Sequence, residues 1–236
     1  MRYIAKLILD IFDYFTLEKI YEVLKKNLGK DLECLIDVGS HKGEYINKSV
    51  KEFNVKKIYG FEANPNTFKI LVHNVEKLNN VIVKNFGIGY ERKKINLYEN
   101  IESSSSSFND LNRNSKYYKK KYFFLNFFGS KKITSPILVD IIRLEDFLHD
   151  ENLKKIDLLK IDTEGFEFNV LRGIGAKIDC INLIHLEHHF DDMIIKDYTL
   201  TDIHNYLKSK GFKKIFKIKM KFRKSFEYIY QNQSTR

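Results

Sequence analysis

Short apolar segments alternate with helical patterns along most of the chain, and this alternation constrains the fold more than any other feature. Apolar runs of four to six residues stand at positions 34–38, 57–61, 81–84, 157–161 and 181–186. The stretches between them repeat apolar residues at the spacing of amphipathic helices. Strands separated by helices pair in parallel, with helices on both faces of the sheet. The sequence therefore predicts a doubly wound α/β fold.

The two ends of the chain carry different patterns. A helix over 201–210, with Thr201 as its N-cap, stops at Gly211, and two alternating apolar segments follow. These predict a closing hairpin, which makes the sheet mostly parallel with an antiparallel last strand. Residues 1–30 predict an amphipathic helix packed on the core, with a membrane-surface or dimer-forming helix as the alternative.

Residues 31–236 carry no repeat and no Pro/Gly linker, which predicts one domain. Short apolar segments at 94–98 and 137–140 predict accessory strands that flank a polar insert over about residues 99–136. This insert is a candidate substrate loop.

The composition bounds the class of protein. No stretch approaches the ~20 apolar residues that cross a bilayer, and Lys6, Asp10 and Asp13 interrupt the apolar start in a way a signal peptide does not. Cys34 and Cys180 lack the spacing of a metal or redox motif, which favours a reduced, buried pair. We therefore expect a cytoplasmic protein, with peripheral membrane contact as the alternative.

Positive charge is concentrated in two segments of a chain whose net charge is +10. Residues 208–224 and 116–132 are rich in lysine and contain no acid. Such segments favour anionic partners: phosphates, nucleic acid or an anionic membrane surface. The alternative is a lysine-rich chain whose basic residues simply cover solvated faces.

The first predicted strand ends in a glycine-containing loop, DVGSHKG. Asp37 closes the strand, and Gly39, Ser40 and Gly43 follow. Glycine lets the backbone approach a ligand closely. The loop lacks the third glycine of GxGxxG and does not match GxxxxGK[ST], so a triphosphate cradle is disfavoured. A tight turn with no ligand remains an alternative for this motif alone.

Polar residues also follow the next two strands. Glu62, with Ala63 beside it, stands 25 residues after Asp37, where α/β sites place an acid on ribose hydroxyls. Asn85 and Gly87 follow the third strand, and the Asn85 amide can bond an adenine edge or ribose. Together these ends predict an adenosine-bearing ligand without a pyrophosphate cradle. S-adenosylmethionine fits this description. NAD is disfavoured because the loop lacks the third glycine of GxGxxG.

Four segments in order resemble the FkbM family of S-adenosylmethionine-dependent O-methyltransferases. They are LIDVGSHKGEY, FEANPNTFKIL, the serine run, and LLKIDTEGFEFNVLRG followed by INLIHLEHH. The run KIDTEGFEFNVLRG is similar to the family's K-I-D-x-E-G-x-E-x-x-V-L-x-G, and the resemblance covers about residues 33–190. Ser40-His41-Lys42 departs from the small or amide residues usual in the family. The resemblance implies a seven-stranded methyltransferase fold in the order 3-2-1-4-5-7-6, and methyl transfer to a hydroxyl group, often of a sugar or glycan.

The implied strand order places two polar strand ends side by side. Asp162, Glu164, Glu187, His188 and His189 are therefore expected to share one pocket. His188 or His189 is the favoured general base because histidine titrates near neutrality. Asp162 would position the substrate or the donor's amine, Glu187 completes the catalytic set, and Glu164 would face the substrate. Structural roles for the two histidines are the alternative.

Other residues near this motif have plainer interpretations. Glu167 is expected to complement the dipole at the start of its helix. Phe166 and Phe168 are expected to pack, and His185 to be structural. A divalent metal held by Asp162, Glu187 and His189 is conceivable but not demanded by the spacing, so no metal site is predicted.

Five serines at 103–107 lie in the insert, and Ser105 and Ser106 are predicted to face the substrate, with a linker as the alternative. The following KYYKKKYFFLNFF suits a lid over a sugar phosphate, or a membrane or nucleic-acid contact.

Three functions fit the sequence. The favoured one is O-methylation of a sugar hydroxyl, on a nucleotide-linked sugar or a surface or capsular glycan. The second is methylation of RNA, on the strength of the positive charge. The third is a non-catalytic module that binds the donor. A small-molecule or glycan partner is favoured over nucleic acid, and a homodimer stays open.

Overall fold

The computed structural model describes residues 2–99, 106–110, 112–116, 118–119, 136–221 and 223–234. The strands of this part of the chain are β1 (Asp31–Val38), β2 (Asn54–Phe61), β3 (Val81–Lys84), β4 (Gly87–Gly89), β5 (Lys93–Glu99), β6 (Ser106–Ser107), β7 (Ile137–Arg143), β8 (Ile156–Ile161), β9 (Ile181–His189), β10 (Phe212–Lys219) and β11 (Ser225–Asn232). The helices are α1 (Arg2–Leu28), α2 (Glu44–Glu52), α3 (Pro65–Val75), α4 (Leu144–Asp150), α5 (Glu167–Gly173) and α6 (Leu200–Ser209), with a 3₁₀ helix at Gly175–Cys180.

Within the described residues, seven strands form the main sheet in the order β10-β11-β9-β8-β1-β2-β3. Strands β3, β2, β1, β8 and β9 are parallel, and β11 runs antiparallel between β9 and β10. When these seven strands are renumbered 1 to 7 in chain order and read from β3, the order is the predicted 3-2-1-4-5-7-6. The predicted fold, a mostly parallel sheet closed by an antiparallel hairpin, is confirmed.

The core fills both faces of this sheet because successive side chains of each strand point in opposite directions. On one face Leu35, Leu158 and Leu183 pack beneath α1, α2 and α3. On the other face Ile36 and Leu159 belong to a cluster that includes side chains of α4, α5 and α6. Helices therefore cover both faces.

Helix α1 is anchored through its C-terminal half. Ile20, Tyr21 and Leu24 are fully buried, and the Tyr21 hydroxyl hydrogen-bonds Ser49 of α2 at 2.9 Å. The C-terminal half of the N-terminal helix thus packs on the core, whereas Phe15, which belongs to the apolar pattern that predicts the helix, is 59% exposed. Among the described residues, no helix is both long and apolar enough to cross a bilayer.

A smaller sheet, in the order β4-β7-β5-β6, carries both predicted accessory strands. Strand β7 pairs in parallel with β4 and antiparallel with β5, and β6 pairs with the end of β5. The last two serines of the run thus form a strand. Ser105, and most of the basic and aromatic segment at 116–128, lie outside the described residues.

Two local predictions are wrong. The N-cap of α6 is Thr199 rather than Thr201, because Asp202 stands three residues after Thr199 and completes a capping box with it. The residue three positions after Thr201 is His204, which cannot serve that role. Both cysteines are free, but Cys180 is only partly buried, so the expected buried pair is right for Cys34 alone.

Candidate functional site

The loop after β1 is bound to the end of β2 by its main chain. The N–H groups of Gly39 and Ser40 both donate to the Phe61 carbonyl at 2.9 Å. Gly39 has φ +86°, and a Cβ there would lie 1.8 Å from the Asp162 carbonyl oxygen. Glycine is therefore required, and the ends of β1, β2 and β8 meet at this point. Gly43 also has a positive φ and is the N-cap of α2.

Glu62 joins this loop to the start of α3. Its Oε2 accepts from the His41 N–H at 2.9 Å, and its Oε1 accepts from the Asn64 N–H at 2.8 Å. Burial raises the pKa of this carboxyl group. Because each carboxylate oxygen has two lone pairs, both oxygens can still accept a hydroxyl group. This arrangement fits the predicted contact with two ribose hydroxyls.

Asn85 fastens the end of β2 from the neighbouring strand. Its side-chain amide donates to the carbonyls of Glu62, at 2.8 Å, and Ala63, at 3.2 Å. Contact with a ligand through its side-chain oxygen stays a prediction. Gly87 has a packing explanation, since a Cβ there would lie 2.5 Å from Ile141 and 2.8 Å from Phe108.

Asp37 is buried beneath the same loop. Its Oδ2 has no hydrogen-bond partner among the described residues, and burial raises its pKa to about 7 despite nearby Lys160. Such an orphaned acceptor is a feature that a bound ligand could satisfy. The Ser40 hydroxyl is buried and donates to the Asp37 carbonyl, so it stabilises the loop from within.

The serine strand β6 connects the donor-binding half of the site, formed by the loop after β1 (residues 39–43, the donor loop) and the end of β2, with the motif after β8. The Asn64 side chain donates to Ser106 Oγ at 3.0 Å. The neighbouring Ser107 hydroxyl donates to the Glu164 carbonyl at 2.8 Å, and the Asn109 amide donates to the Gly165 carbonyl at 2.7 Å. Two adjacent serines therefore contact the two halves of the candidate site.

The DTEG segment makes a turn with two consecutive positive φ angles, +49° at Glu164 and +97° at Gly165. Positive φ is unusual for a residue with a side chain, and such residues concentrate at functional sites. Glu167 Oε1 accepts from the Gly165 N–H at 2.7 Å, and its Oε2 accepts from the Tyr198 hydroxyl. Glu167 does open α5 as predicted, but its buried carboxylate also holds this turn.

Acidic side chains surround His189 at the end of β9. Its Nε2 lies 3.3 Å from Glu164 Oε2 and 3.5 Å from Glu187 Oε1, and its Nδ1 lies 3.7 Å from Asp191 Oδ2. Burial alone would disfavour the imidazolium, but these acids outweigh it and raise the pKa of His189 to about 10. The ring therefore carries its proton at neutral pH, which is the opposite of what a general base needs.

His188 points to the other face of the sheet. Its Nδ1 lies 4.0 Å from Glu167 Oε2, and its ring packs near Tyr198. Burial, assisted by Lys196, lowers the pKa of His188 to about 4, so this imidazole is neutral. The structure brings together Asp162, Glu164, Glu187 and His189 but not His188. Adjacent strand residues point in opposite directions, so both histidines could not join one cluster.

A buried network of ion pairs lies behind this cluster, and it is not predicted from the sequence. Lys160 Nζ lies 3.3 Å from Glu227 Oε2 and 3.7 Å from Asp162 Oδ2, and His185 Nε2 lies 2.9 Å from the same Glu227 oxygen. Burial would lower the pKa of Lys160, but Glu227, Asp162 and Glu187 raise it. Lys160 and His185 in turn outweigh burial and lower the pKa of Glu227 to about 2.

Two of these residues had a signal in the sequence. Lys160 interrupts an apolar strand, and Glu227 interrupts another. A lysine within a strand that is buried on both faces needs an acidic partner.

The network shapes the charge of the remaining acids. Burial and nearby Asp162 raise the pKa of Glu187 well above its usual range. Among the described residues, no group of three or more His, Cys, Asp or Glu side chains is arranged to hold a metal ion. Asp162 is paired with Lys160, and Glu187 with protonated His189.

Comparison with known proteins agrees with the geometry. Residues 37–214 match the family model described as the methyltransferase FkbM domain. The chain is 30% identical over 151 residues to "Methyltransferase 1" of Beauveria bassiana (strain ARSEF 2860), an alignment that covers 61% of this chain and 59% of that protein.

Solved structures share the fold. The methyltransferase FkbM of Methylobacillus flagellatus KT has a TM-score of 0.54 at 15% identity, covering 84% of this chain and 43% of that one. Sp1610 of Streptococcus pneumoniae, solved with S-adenosyl-L-methionine, has a TM-score of 0.52 at 13% identity, covering 91% and 72%. An rRNA methylase of Streptococcus thermophilus has 0.51 at 11%, covering 92% and 95%.

The chain therefore spans less than two thirds of both the Beauveria relative and the Methylobacillus structure. The family model nevertheless matches well over half of the chain. The match runs from the donor loop through the charged cluster, which comprises Asp162, Glu164, Glu187 and His189. The chain belongs to the FkbM family of methyltransferases.

Proposed function

We propose that the chain is an S-adenosylmethionine-dependent O-methyltransferase whose acceptor is a sugar hydroxyl, on a nucleotide-linked sugar or a surface glycan. One observation carries this proposal: the charged cluster of Asp162, Glu164, Glu187 and His189 lies at the carboxyl ends of β8 and β9, next to the donor loop. The Asp162 side chain is 33% exposed, so it can meet a substrate hydroxyl.

The donor loop suits S-adenosylmethionine, which supplies a methyl group on a cationic sulfonium when it is bound. Glu62 would accept hydrogen bonds from the ribose hydroxyls, and Asn85 would contact the adenine or ribose. Gly39 and Gly43 let the loop backbone approach the ligand. The buried Asp37 carboxyl group, whose pKa burial raises to about 7, offers its unpartnered Oδ2 to the ligand.

Asp162 would accept the proton that the acceptor hydroxyl loses as its bond to carbon forms. Lys160 Nζ lies 3.7 Å from Asp162 Oδ2 and fixes the orientation of this carboxylate. Protonated His189 holds Glu187 and Glu164 and can donate to a sugar oxygen. Placing the hydroxyl oxygen on the line of the breaking bond supplies much of the remaining acceleration.

Methyl-labelled donor incubated with pools of nucleotide-linked sugars and glycans tests the proposal. Label should appear in the sugar fraction after acid hydrolysis. Label that is recovered only in RNA would overturn the sugar assignment while leaving methyl transfer intact. If calorimetry shows S-adenosylhomocysteine binding but no fraction becomes labelled, the chain would instead be a non-catalytic donor-binding module.

Methylation of RNA is the second candidate, and the basic β10–β11 hairpin favours it. Lys213, Lys214 and Lys219 of β10 are exposed, as are Lys221 and Lys224 of the connection that follows. The rRNA methylase of S. thermophilus shares only the fold at 11% identity. This candidate requires RNA binding whose affinity falls steeply with salt, which filter binding over a salt series would measure.

A further inference from the structure

We propose that a cleft beside the charged cluster is the subsite for a phosphate-bearing sugar acceptor; this inference rests on the proposed sugar methylation. The cleft has a volume of about 560 Å³, within the range of sites for small molecules. Its main lining residues are Asn112, Ser115 and Lys116 of the insert, Phe190 and Asp192 after β9, and Lys224 before β11.

Hydrogen bonds fix the two principal walls against each other. The Asn112 N–H donates to the Met193 carbonyl at 2.8 Å, and the Ile195 N–H donates to the Asp110 carbonyl at 3.0 Å. The Ser115 hydroxyl donates to Asp192 Oδ1 at 2.6 Å. The insert is therefore clasped to the segment that follows β9, and the cleft between them is built into the fold.

The cleft borders the charged cluster. Asp191 lines it and lies 3.7 Å from His189 Nδ1, and Phe190 directly follows His189 in the chain. Lys196 donates to the His189 carbonyl and holds this end of β9 in place. A sugar seated in the cleft would thus have its hydroxyls next to His189 and its acidic neighbours.

Two lysines and two acids line the cleft, and the lysines are the groups that can bind a phosphate. Asp191 Oδ1 accepts from the Met193 N–H at 2.9 Å, and Asp192 accepts from Ser115, so hydrogen bonds hold both acids against the walls. Lys116 and Lys224 are exposed and line the cleft from different segments. Two lysines on separate walls can bind one phosphate group from both sides.

An aromatic ring suits the sugar itself. Phe190 is 47% exposed, its ring is backed by Phe226 at a centroid distance of 5.2 Å, and Lys219 Nζ lies 5.5 Å from the ring centroid. The exposed part of this ring offers the apolar face of a sugar a contact surface, and the Asn112 and Asn114 amides can bond its hydroxyls. Phosphate, sugar ring and reacting hydroxyl thus each have a matching group.

Phosphorus NMR of glucose 1-phosphate and UDP-glucose, added to protein saturated with S-adenosylhomocysteine, tests the subsite. We expect line broadening with the wild-type protein and a roughly tenfold weaker affinity with K116Q/K224Q, since each lost bond joins two charged groups. The control K213Q/K214Q removes the same charge from exposed positions of β10 and should bind like wild type. Phe190→Ala should weaken glucose 1-phosphate but leave inorganic phosphate unchanged. The two ligands show whether the subsite takes a sugar monophosphate or a nucleotide-linked sugar.

Equal affinity in K116Q/K224Q and wild type would overturn the subsite. So would equal losses in K116Q/K224Q and K213Q/K214Q, because the effect would then be one of net charge alone. Calorimetry with S-adenosylhomocysteine separates the two proposals. Donor binding without sugar-phosphate binding defeats only the subsite, whereas sugar-phosphate binding without donor binding defeats the proposed methyl transfer.

Discussion

The two halves of the candidate site are built by different means. At the ends of β1 and β2, main-chain groups make most of the hydrogen bonds. Two N–H groups donate to the Phe61 carbonyl, and the Glu62 carboxylate accepts from two further N–H groups. At the ends of β8 and β9, titratable side chains dominate, with Asp162, Glu187 and His189 in front of Lys160.

The difference matches two separate tasks, donor binding at the first half and proton transfer at the second. A donor of constant shape is served by a cradle made of main-chain groups that the Glu62 carboxylate holds together. Proton transfer from an acceptor requires titratable side chains, and buried partners set the charge of these side chains. Damage to the first half should therefore weaken binding, and damage to the second half should change rate and stability.

Replacing Asp162 with Asn should have the largest effect. The variant keeps the shape of the side chain but cannot accept the hydroxyl proton, so kcat should fall by about 10²–10⁴-fold. Radiolabelled methyl transfer measures the rate, and calorimetry with S-adenosylhomocysteine should show nearly unchanged affinity. Loss of donor affinity with an unaltered rate would reverse the division between the halves.

The backbone half could be predicted from sequence because its signals are local. Asp37, Gly39 and Glu62 each stand at the end of their own strand, and alternation of strands and helices brings those ends together. Glu62 binds N–H groups of its own loop and of the loop after β1. Nothing beyond the strand order is needed to place these residues.

The charged half could not be predicted as fully because its partners are distant. Glu227 is 67 residues from Lys160, and only the pairing of β11 with β9 brings it there. The choice between His188 and His189 depends on which face each side chain takes. Asp191 contacts His189 from a loop that is hydrogen-bonded to the insert, and no sequence motif predicts this contact.

Replacing Lys160 with Met should destabilise the protein by about 3–5 kcal/mol, because the buried Glu227 and the partly exposed Asp162 lose their shared cation. Urea unfolding at neutral pH measures the change. K160M/E227Q should recover part of it, and Lys213→Met, on the exposed face of β10, should change stability by less than about 0.5 kcal/mol. A K160M variant as stable as wild type would mean that the network contributes nothing to folding.

The adjacent histidines should give pH dependences of opposite sign. The folded pKa of His188 is about 4, below the usual 6.5, so its unfolded form gains a proton first. Stability is therefore lost as pH falls from 6.5 to 4, by up to about 3 kcal/mol. The folded pKa of His189 is raised to about 10, so its contribution is complete below 6.5 and is lost as pH rises towards 10.

Unfolding measured across this pH range in H188N and H189N checks both signs. H188N should flatten the acid side of the wild-type profile, and H189N should flatten the alkaline side. If both variants flatten the same side, the two rings share an environment and the assignment to opposite faces of the sheet is wrong.

Glu62→Gln tests the backbone half. The amide keeps one acceptor oxygen but loses the charge, so the hydrogen bonds to ribose hydroxyls should weaken by about 1.5–3 kcal/mol in total. S-adenosylhomocysteine affinity should fall by roughly 10- to 100-fold, while kcat at saturating donor changes little. Glu33→Gln, an exposed acid paired with Lys56, is the matched control and should bind like wild type. Unchanged affinity in Glu62→Gln would place the donor elsewhere.

The adjacent serines of β6 provide the smallest and most discriminating test, because they contact different halves. Ser107→Ala removes the hydrogen bond to the Glu164 carbonyl, worth about 1 kcal/mol. Since Asn109 still holds the same turn, kcat should fall only about fivefold. Ser106→Ala removes the acceptor of the Asn64 amide and should instead weaken donor binding by a similar factor. Each variant is the other's control. If both changed rate and affinity together, the halves would be mechanically coupled through β6, and the backbone cradle would not be independent of the charged cluster.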